Sequence, residues 1–107
     1  MKVFALRCKV TRTFNRCFEA EDDGSAKQLV MRTLMEAGDS MVAACVEQYS
    51  LFSVGFMDSE KGLIKTTPKL VTDLIDIPNI VDVCKTGIQR MKTIFESEVK
   101  PDGQKDV

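Results

Sequence analysis

Two blocks of sequence, each a strand pattern that runs directly into a turn, constrain the fold of this chain most strongly. In residues 49–58 the side chains alternate between two faces, one of which carries Phe52 and Phe56, and period-two alternation is typical of a β-strand. The polar segment 58–62 that follows ends in glycine, as turns between strands often do. The block at residues 18–26 also reads as a strand that runs into a turn, at Asp22-Asp23-Gly24. Each block therefore predicts one strand of a small sheet.

Further strand and helix signals complete the first two thirds of the chain. Ser25 and Gln28 have the spacing of a capping box, which predicts a helix from about residue 26 to 37 that ends at Gly38. Residues 39–46 fit either a short helical turn or a loop. We predict four strands, of which the first two form a hairpin closed by a turn at 11–15: residues 2–10, 16–20, 48–57 and 63–66.

The last third of the chain has the pattern of a helix with one apolar seam. Thr67-Pro68 is a typical helix start, because proline is favoured at the first helical position. Pro78 interrupts the seam, so we expect either two helices or one kinked helix. The seam recurs at alternating spacings of four and three and consists of Leu70, Leu74, Ile77, Val81, Cys84, Ile88, Met91 and Phe95.

These signals together predict an α+β fold. It has a small antiparallel sheet of about four strands in ββαββ order, followed by a C-terminal helix or kinked helix pair. We expect residues 1–99 to form one domain and residues 100–107 to form a polar, frayed tail.

Composition excludes most catalytic chemistry. The chain has no histidine, which removes the commonest general base and metal ligand and rules out Ser-His-Asp and Cys-His machinery. The acids at 19–23 precede a predicted helix and are interpreted as ordinary helix-start residues rather than as a metal site. We therefore expect no enzyme, no metal and no cofactor. The four cysteines lack C-x-x-C spacing and are expected to be reduced thiols: Cys8, Cys17, Cys45 and Cys84.

Charge is distributed unevenly along a nearly neutral chain. The net charge is -1, but residues 1–18 hold five basic residues and no acid, so they carry +5. The other 89 residues hold ten basic and sixteen acidic side chains, which gives -6.

Cations on a hairpin, interleaved with phenylalanines, are typical of a surface that binds single-stranded nucleic acid. The candidate nucleic-acid-binding residues are Lys2, Arg7, Lys9, Arg12 and Arg16, with Phe4 and Phe14 stacking on bases. The alternative is that the phenylalanines are core and the charges are a solvated face.

The C-terminal seam has two interpretations. It either folds back on the chain's own sheet or pairs with the same seam of another copy, and the small sheet favours a homodimer or higher oligomer. The candidate oligomer interface consists of Leu74, Val81, Cys84, Ile88, Met91 and Phe95.

The sequence also resembles a known family over residues 1–70. The first element of the resemblance is Phe18 followed by Asp23-Gly24-Ser25-Ala26 and a helix. The second is Tyr49-x-Leu51-Phe52-x-Val54-Gly55-Phe56-x-Asp58, then Gly62-x-Ile64 and Pro68. Both resemble the small nonstructural protein of gokushoviruses, which are single-stranded DNA phages of the microvirus family. That family's pattern has an adjacent phenylalanine and aspartate, whereas Met57 separates them here.

The resemblance implies an accessory protein that is absent from the virion and has no enzymatic activity. Members are compared with the small coliphage protein that shifts genome synthesis from replicative duplex to packaged single strands. By this analogy the chain binds DNA, with single-stranded DNA favoured, during genome replication and packaging. Alternatively it docks on the phage replication initiator or on a host protein and has no affinity for DNA.

We expect the protein to remain in the cytoplasm of the host bacterium. Its apolar stretches are far shorter than the ~20 residues of a membrane-spanning helix. Charged residues at positions 2 and 7 interrupt the first apolar stretch before it could serve as a signal-peptide core.

Overall fold

The structure, a computed structural model, describes residues 1–36 and 40–105. Its elements follow the predicted ββαββ order with a C-terminal helix, which confirms the α+β fold. They are β1 (Lys2–Cys8), β2 (Thr13–Ala20), α1 (Asp23–Met35), α2 (Ser40–Ala44), a 3-10 turn (Val46–Gln48), β3 (Tyr49–Asp58), β4 (Gly62–Asp73), a second 3-10 turn (Leu74–Asp76) and α3 (Ile80–Lys105).

The four strands form one antiparallel sheet in the order β2-β1-β3-β4. β1 is central and pairs with both β2 and β3, so the predicted hairpin of the first two strands is confirmed. In this register Leu6 of β1 lies opposite Leu51 of β3, and Phe4 lies opposite Phe18 of β2. β2 and β4 are the edge strands.

The helices cover one face of the sheet. The core consists of alternate residues of β1, namely Phe4, Leu6 and Cys8, packed with Leu51 and with apolar residues of all three helices. The helical residues of this core include Val30 and Leu34 of α1, Val42 of α2, and Ile80 and Val83 of α3.

The predicted helix start at Thr67-Pro68 is wrong, because both residues lie inside β4. β4 is an edge strand, where a proline without an N–H group is tolerated. Pro68 also falls where the pairing of β3 with β4 shifts, between the pairs Ser53–Lys69 and Gly55–Lys65. The strand therefore continues to Asp73 instead of ending near residue 66.

Of the predicted alternatives, a C-terminal helix or a kinked helix pair, the single helix is correct: α3 is one helix that begins after Pro78. Leu74 lies in a 3-10 turn and Ile77 in the connection that follows it, so the seam is helical only from Ile80 onward. Cys84 is buried against the rest of the chain, whereas every residue from 89 to 96 is exposed. The C-terminal half of the described helix therefore extends away from the core.

The ends of the other predicted elements differ from the structure in detail. The N-cap of α1 is Asp22, whose carboxylate accepts a hydrogen bond from the Ser25 backbone N–H at 2.7 Å, so the predicted Ser25–Gln28 capping box is wrong. Of the two alternatives for 39–46, the helical one is correct for Ser40–Ala44. The predicted stop at Gly38 and residues 106–107 of the predicted tail lie outside the described residues. The backbone of α3 continues to Lys105.

Within the described residues, no helix is both long enough and apolar enough to cross a membrane.

Candidate nucleic-acid interface

The face of the sheet opposite the helices carries the candidate binding surface, which we call the open face. Two rows of paired residues cross this face. The first row is Phe14, Arg7, Ser50 and Asp73, and the second is Cys17, Ala5, Phe52 and Leu70. Paired residues of antiparallel strands share a face, and in β1 these positions alternate with the core residues. Phe14 and Leu70 are exposed, so apolar side chains reach solvent on this side.

An aromatic pair and a cation are in contact on the open face. The rings of Phe14 and Phe52 meet edge to face, with centroids 5.4 Å apart and planes at 82°. The guanidinium carbon of Arg7 lies 5.6 Å from the centroid of the Phe14 ring, a distance typical of a cation–π contact. Phe14 remains 42% exposed despite both contacts. An exposed ring held beside an arginine can stack on a base while the cation approaches a phosphate.

Lys2 and Lys9 are both engaged in ion pairs. Lys2 lies 2.8 Å from a carboxylate oxygen of Asp23, at the start of α1. Lys9 lies 3.3 Å from Asp73, and the Ser50 hydroxyl donates a hydrogen bond to the same carboxylate oxygen at 2.6 Å. The Ser50 hydrogen bond, and secondarily Lys9, hold the pKa of Asp73 below its ordinary value. These two lysines therefore contribute less positive potential than their formal charge.

Arg12 and Arg16 both have left-handed backbone conformations, with φ of 59° and 49°. Arg12 lies in the turn between β1 and β2. Arg16 is the extra residue of a β-bulge, because Ala5 pairs with Cys17 and Leu6 with Asn15. A left-handed conformation costs a residue other than glycine about 1–2 kcal/mol, so the fold holds both arginines in strained positions.

A cleft separates β2 from α1 on the helix side of the sheet. Its volume is about 290 Å³, and Arg16 lines it. As the extra residue of the bulge, Arg16 does not belong to the rows of the open face. We call it the β2–α1 cleft, and its lining consists of Leu6, Arg16, Cys17, Phe18, Leu29, Val30, Thr33 and Leu34.

The structure corrects the aromatic part of the predicted site. Phe4 is fully buried and its ring stacks on Phe18 at a centroid distance of 5.9 Å, so it cannot stack on a base. Phe52, which contacts Phe14, was not among the predicted site residues. The prediction that Phe52 and Phe56 share a face is wrong: Phe52 pairs with Ala5 and Phe56 with Lys2, because the register of β1 with β3 shifts between Val3 and Phe4. The contact of Phe52 with Phe14 depends on β2 and β3 flanking β1, and no local pattern in the sequence shows that order.

Some residues of the predicted oligomer interface are buried in the chain's own core, and others are exposed. Leu74 and Cys84 are buried in the chain's own core at 0% and 3% exposure, so they cannot meet a second copy in this fold. Ile88 is half-buried against the core. The remaining members of the set are exposed along α3: Val81, Met91 and Phe95.

The acids before α1 serve the helix start, as the sequence suggested. Asp22 caps the helix, and the hydrogen bond from the Ser25 N–H is the main reason that the pKa of its carboxyl is lowered. Asp23 pairs with Lys2. Among residues 1–36 and 40–105, no group of three or more His, Cys, Asp or Glu side chains could hold a metal ion.

Comparison with known proteins assigns the chain to a family. No curated protein and no solved structure matches it. A family model described as Phage ORF5 protein matches residues 1–77. The matched segment contains all four strands, α1 and α2, and ends before α3 begins. Because this match covers more than half of the 107 residues, the chain belongs to the Phage ORF5 protein family, a family of phage proteins.

Proposed function

We propose that this phage protein is a non-virion accessory factor that binds single-stranded DNA without base preference during genome replication and packaging. Its resemblance to the small nonstructural protein of gokushoviruses supports the biological setting, including action in the host cytoplasm. The observation that carries the proposal is the contact of Arg7, Phe14 and Phe52 on the open face of the sheet. No reaction is assigned to this surface.

The chemistry of the open face suits an unpaired strand. Four-stranded sheets that bind single strands commonly stack bases on aromatic residues of one face, and the Phe14–Phe52 pair supplies such a platform. Every base has a π-face, so stacking tolerates any sequence. Arg7 lies beside the platform and Arg12 lies in the turn at the end of the hairpin, where each can approach a phosphate. Since residues 1–18 contain no acid, this part of the hairpin adds no negative charge to repel the DNA backbone.

Fluorescence anisotropy of a labelled 20-nucleotide oligothymidylate tests the proposal. We expect affinity to fall with salt. If the three arginines at 7, 12 and 16 each contact one phosphate, the log–log slope is about -2, since each contact to a single strand contributes about -0.7. Phe14→Ala should weaken binding about 5- to 150-fold, because stacking is worth about 1–3 kcal/mol per base.

Phe56→Ala is the matched control. Phe56 is 43% exposed, nearly the same as Phe14, but it pairs with Lys2 and therefore lies on the other face of the sheet. Its loss should change affinity less than twofold. Equal losses for the two variants, or no binding by the wild-type protein at low salt, would refute the proposal.

A second candidate function, protein–protein interaction, is favoured by the exposed apolar residues of α3. Met91, Ile94 and Phe95 are 36%, 49% and 63% exposed on a part of the helix that extends away from the core. A second copy of the chain could cover them, and the same surface could otherwise dock on the phage replication initiator or a host protein. Residues 90–92 contain two basic residues and Glu96 follows one turn later, so two antiparallel copies would place opposite charges together.

Light scattering after size exclusion tests self-association. We expect twice the 12.0 kDa mass of one chain for the wild type and the single mass for Phe95→Glu. Gln89→Glu, which adds the same charge at an exposed polar position of α3, should leave the mass unchanged. A wild-type protein that is monomeric at high micromolar concentration would contradict self-association. Docking on another protein in place of DNA binding predicts no affinity for DNA at moderate salt.

A further inference from the structure

The β2–α1 cleft is a second surface for a ligand, on the opposite side of the sheet from the Phe14–Phe52 platform. Its inner walls are apolar: Val30 and Leu34 are buried, and Phe18 and Leu29 are half-buried. One wall is aromatic, because the Phe18 ring lines the cleft and stacks at 25° on the fully buried ring of Phe4. A flat apolar group that enters the cleft would therefore contact the Phe18 ring, whose position is held by its stacking on Phe4.

The mouth of the cleft is polar. Arg16 and Thr33 line it and are exposed. The bulge places Arg16 at the cleft, and Arg16 belongs to residues 1–18, which contain no acid. The Thr33 hydroxyl can donate and accept hydrogen bonds. Apolar walls with a few polar groups at the rim are typical of small-ligand sites, and about 290 Å³ is at the lower end of their size range.

We infer that the β2–α1 cleft takes one unpaired base of a bound single strand, with the base against Phe18 and an adjacent phosphate at Arg16. The inference rests on the proposed function and extends it to a second site. A single base suits the cleft in shape and polarity, and the positive charge at the mouth complements a phosphate.

The path of the strand follows from the position of β2 at the edge of the sheet. Phe14 lies on the open face and Phe18, four residues later, lies in the cleft on the other side. Four residues of a strand span about 13 Å. A nucleic-acid strand that crosses this edge can thus stack one base on Phe14 and insert another beside Phe18, with Arg16 between them. No strand pairs with the outer side of β2 among the described residues, so the edge is open to this path.

The test compares two labelled 20-mers, oligothymidylate and an abasic deoxyribose-phosphate chain that has no base to insert. Thr33→Trp fills the cleft, and Gln28→Trp, at an exposed position of α1 outside the cleft lining, is its matched control. We expect Thr33→Trp to weaken oligothymidylate binding at least about fivefold, the lower bound for one lost stacking contact. Binding of the abasic chain should be the same for both variants and the wild type.

The outcomes separate this inference from the proposed function. If Thr33→Trp binds oligothymidylate as tightly as Gln28→Trp does, the cleft takes no base, although the open face can still bind DNA. If Thr33→Trp weakens both 20-mers equally, the loss is independent of bases and the inference is overturned. If the wild type binds neither 20-mer, the proposed function itself fails.

Alkylation of a thiol introduced by Thr33→Cys provides a second test, which remains valid if Thr33→Trp does not fold. Thr33 is exposed and lines the cleft, whereas Cys17 lies in a row of the open face. At saturating concentrations, oligothymidylate should slow the reaction of the introduced thiol with iodoacetamide at least about fivefold more than the abasic chain does, as measured by mass spectrometry of the peptide that contains position 33. Equal protection by the two 20-mers would contradict base insertion.

Discussion

Gly55 lies where two strands approach too closely for any side chain, so replacing it by alanine should destabilise the fold. An ideal Cβ at Gly55 would collide with the carbonyl oxygen of Ile64 in β4 and would lie 3.3 Å from the Cα of Lys65. Both atoms belong to the backbone of a paired strand, so neither can rotate away and β4 must shift. Overpacking of this kind costs about 1–3 kcal/mol. For a collision with backbone we expect a loss of about 2 kcal/mol in the free energy of unfolding.

Gly24→Ala is the control for the same chemical change. A Cβ at Gly24 has its nearest neighbour at 3.5 Å, the Asp22 carboxylate oxygen, which is an ordinary contact. Gly24 is in the first turn of α1, where alanine is the better helix former, so stability should rise by about 0.5 kcal/mol.

Urea and thermal denaturation followed by circular dichroism measure both effects. A loss of 2 kcal/mol corresponds to a fall in Tm of roughly 10 °C for a domain of this size. If Gly55→Ala unfolds at the wild-type temperature, β3 and β4 do not approach as described at this point. If Gly24→Ala loses as much stability as Gly55→Ala, the loss reflects alanine itself rather than the collision with Ile64.

Two further predictions concern residues of the candidate site. The free energy of unfolding of Arg16→Gly should be about 1 kcal/mol higher than that of Arg16→Ala, because only glycine adopts the left-handed conformation at φ 49° without cost. Equal stabilities in thermal denaturation would contradict this. Asp73→Asn should lower the free energy of unfolding at pH 7 by about 1–2 kcal/mol, since Asp73 loses its charge-assisted hydrogen bond from Ser50. The pKa of Asp73 is lower in the folded protein than its ordinary value of ~3.9. The stabilisation is therefore present above the ordinary pKa and is lost as the pH falls through the pKa of the folded protein. The difference in stability between wild type and variant should therefore begin to narrow as the pH falls below about 4, and a difference that does not narrow with further acidification would refute the assignment.

Local patterns predicted the strands and α1 because each of these elements has its own periodicity and turn residues. The C-terminal third was different, because Thr67-Pro68 fits the start of a helix and also fits an edge strand. Leu70, Leu74 and Ile77 have helical spacing, yet they occupy a strand, a 3-10 turn and a connection. Pairing with β3 overrides this local pattern, and the sequence alone does not show that pairing.

The candidate site was predictable in charge but not in arrangement. The excess of positive charge in residues 1–18 is visible in the sequence, whereas the ion pairs of Lys2 and Lys9 join residues far apart in the chain. The sequence does not show that Phe4 is buried while Phe14 is exposed, because residues 3–6 are all apolar and show no alternation. β1 is the strand between β2 and β3, and residues on both of its faces are buried, which explains the missing pattern.

A ¹H–¹⁵N NMR titration with the 20-nucleotide oligothymidylate tests the central claim most directly, because it locates the binding surface residue by residue. The account predicts saturable shifts of the backbone amides of Arg7, Phe14 and Phe52, with those of α3 beyond Gln89 unchanged. Shifts confined to α3, or no shifts at low salt, would contradict the claim that the open face of the sheet binds single-stranded DNA.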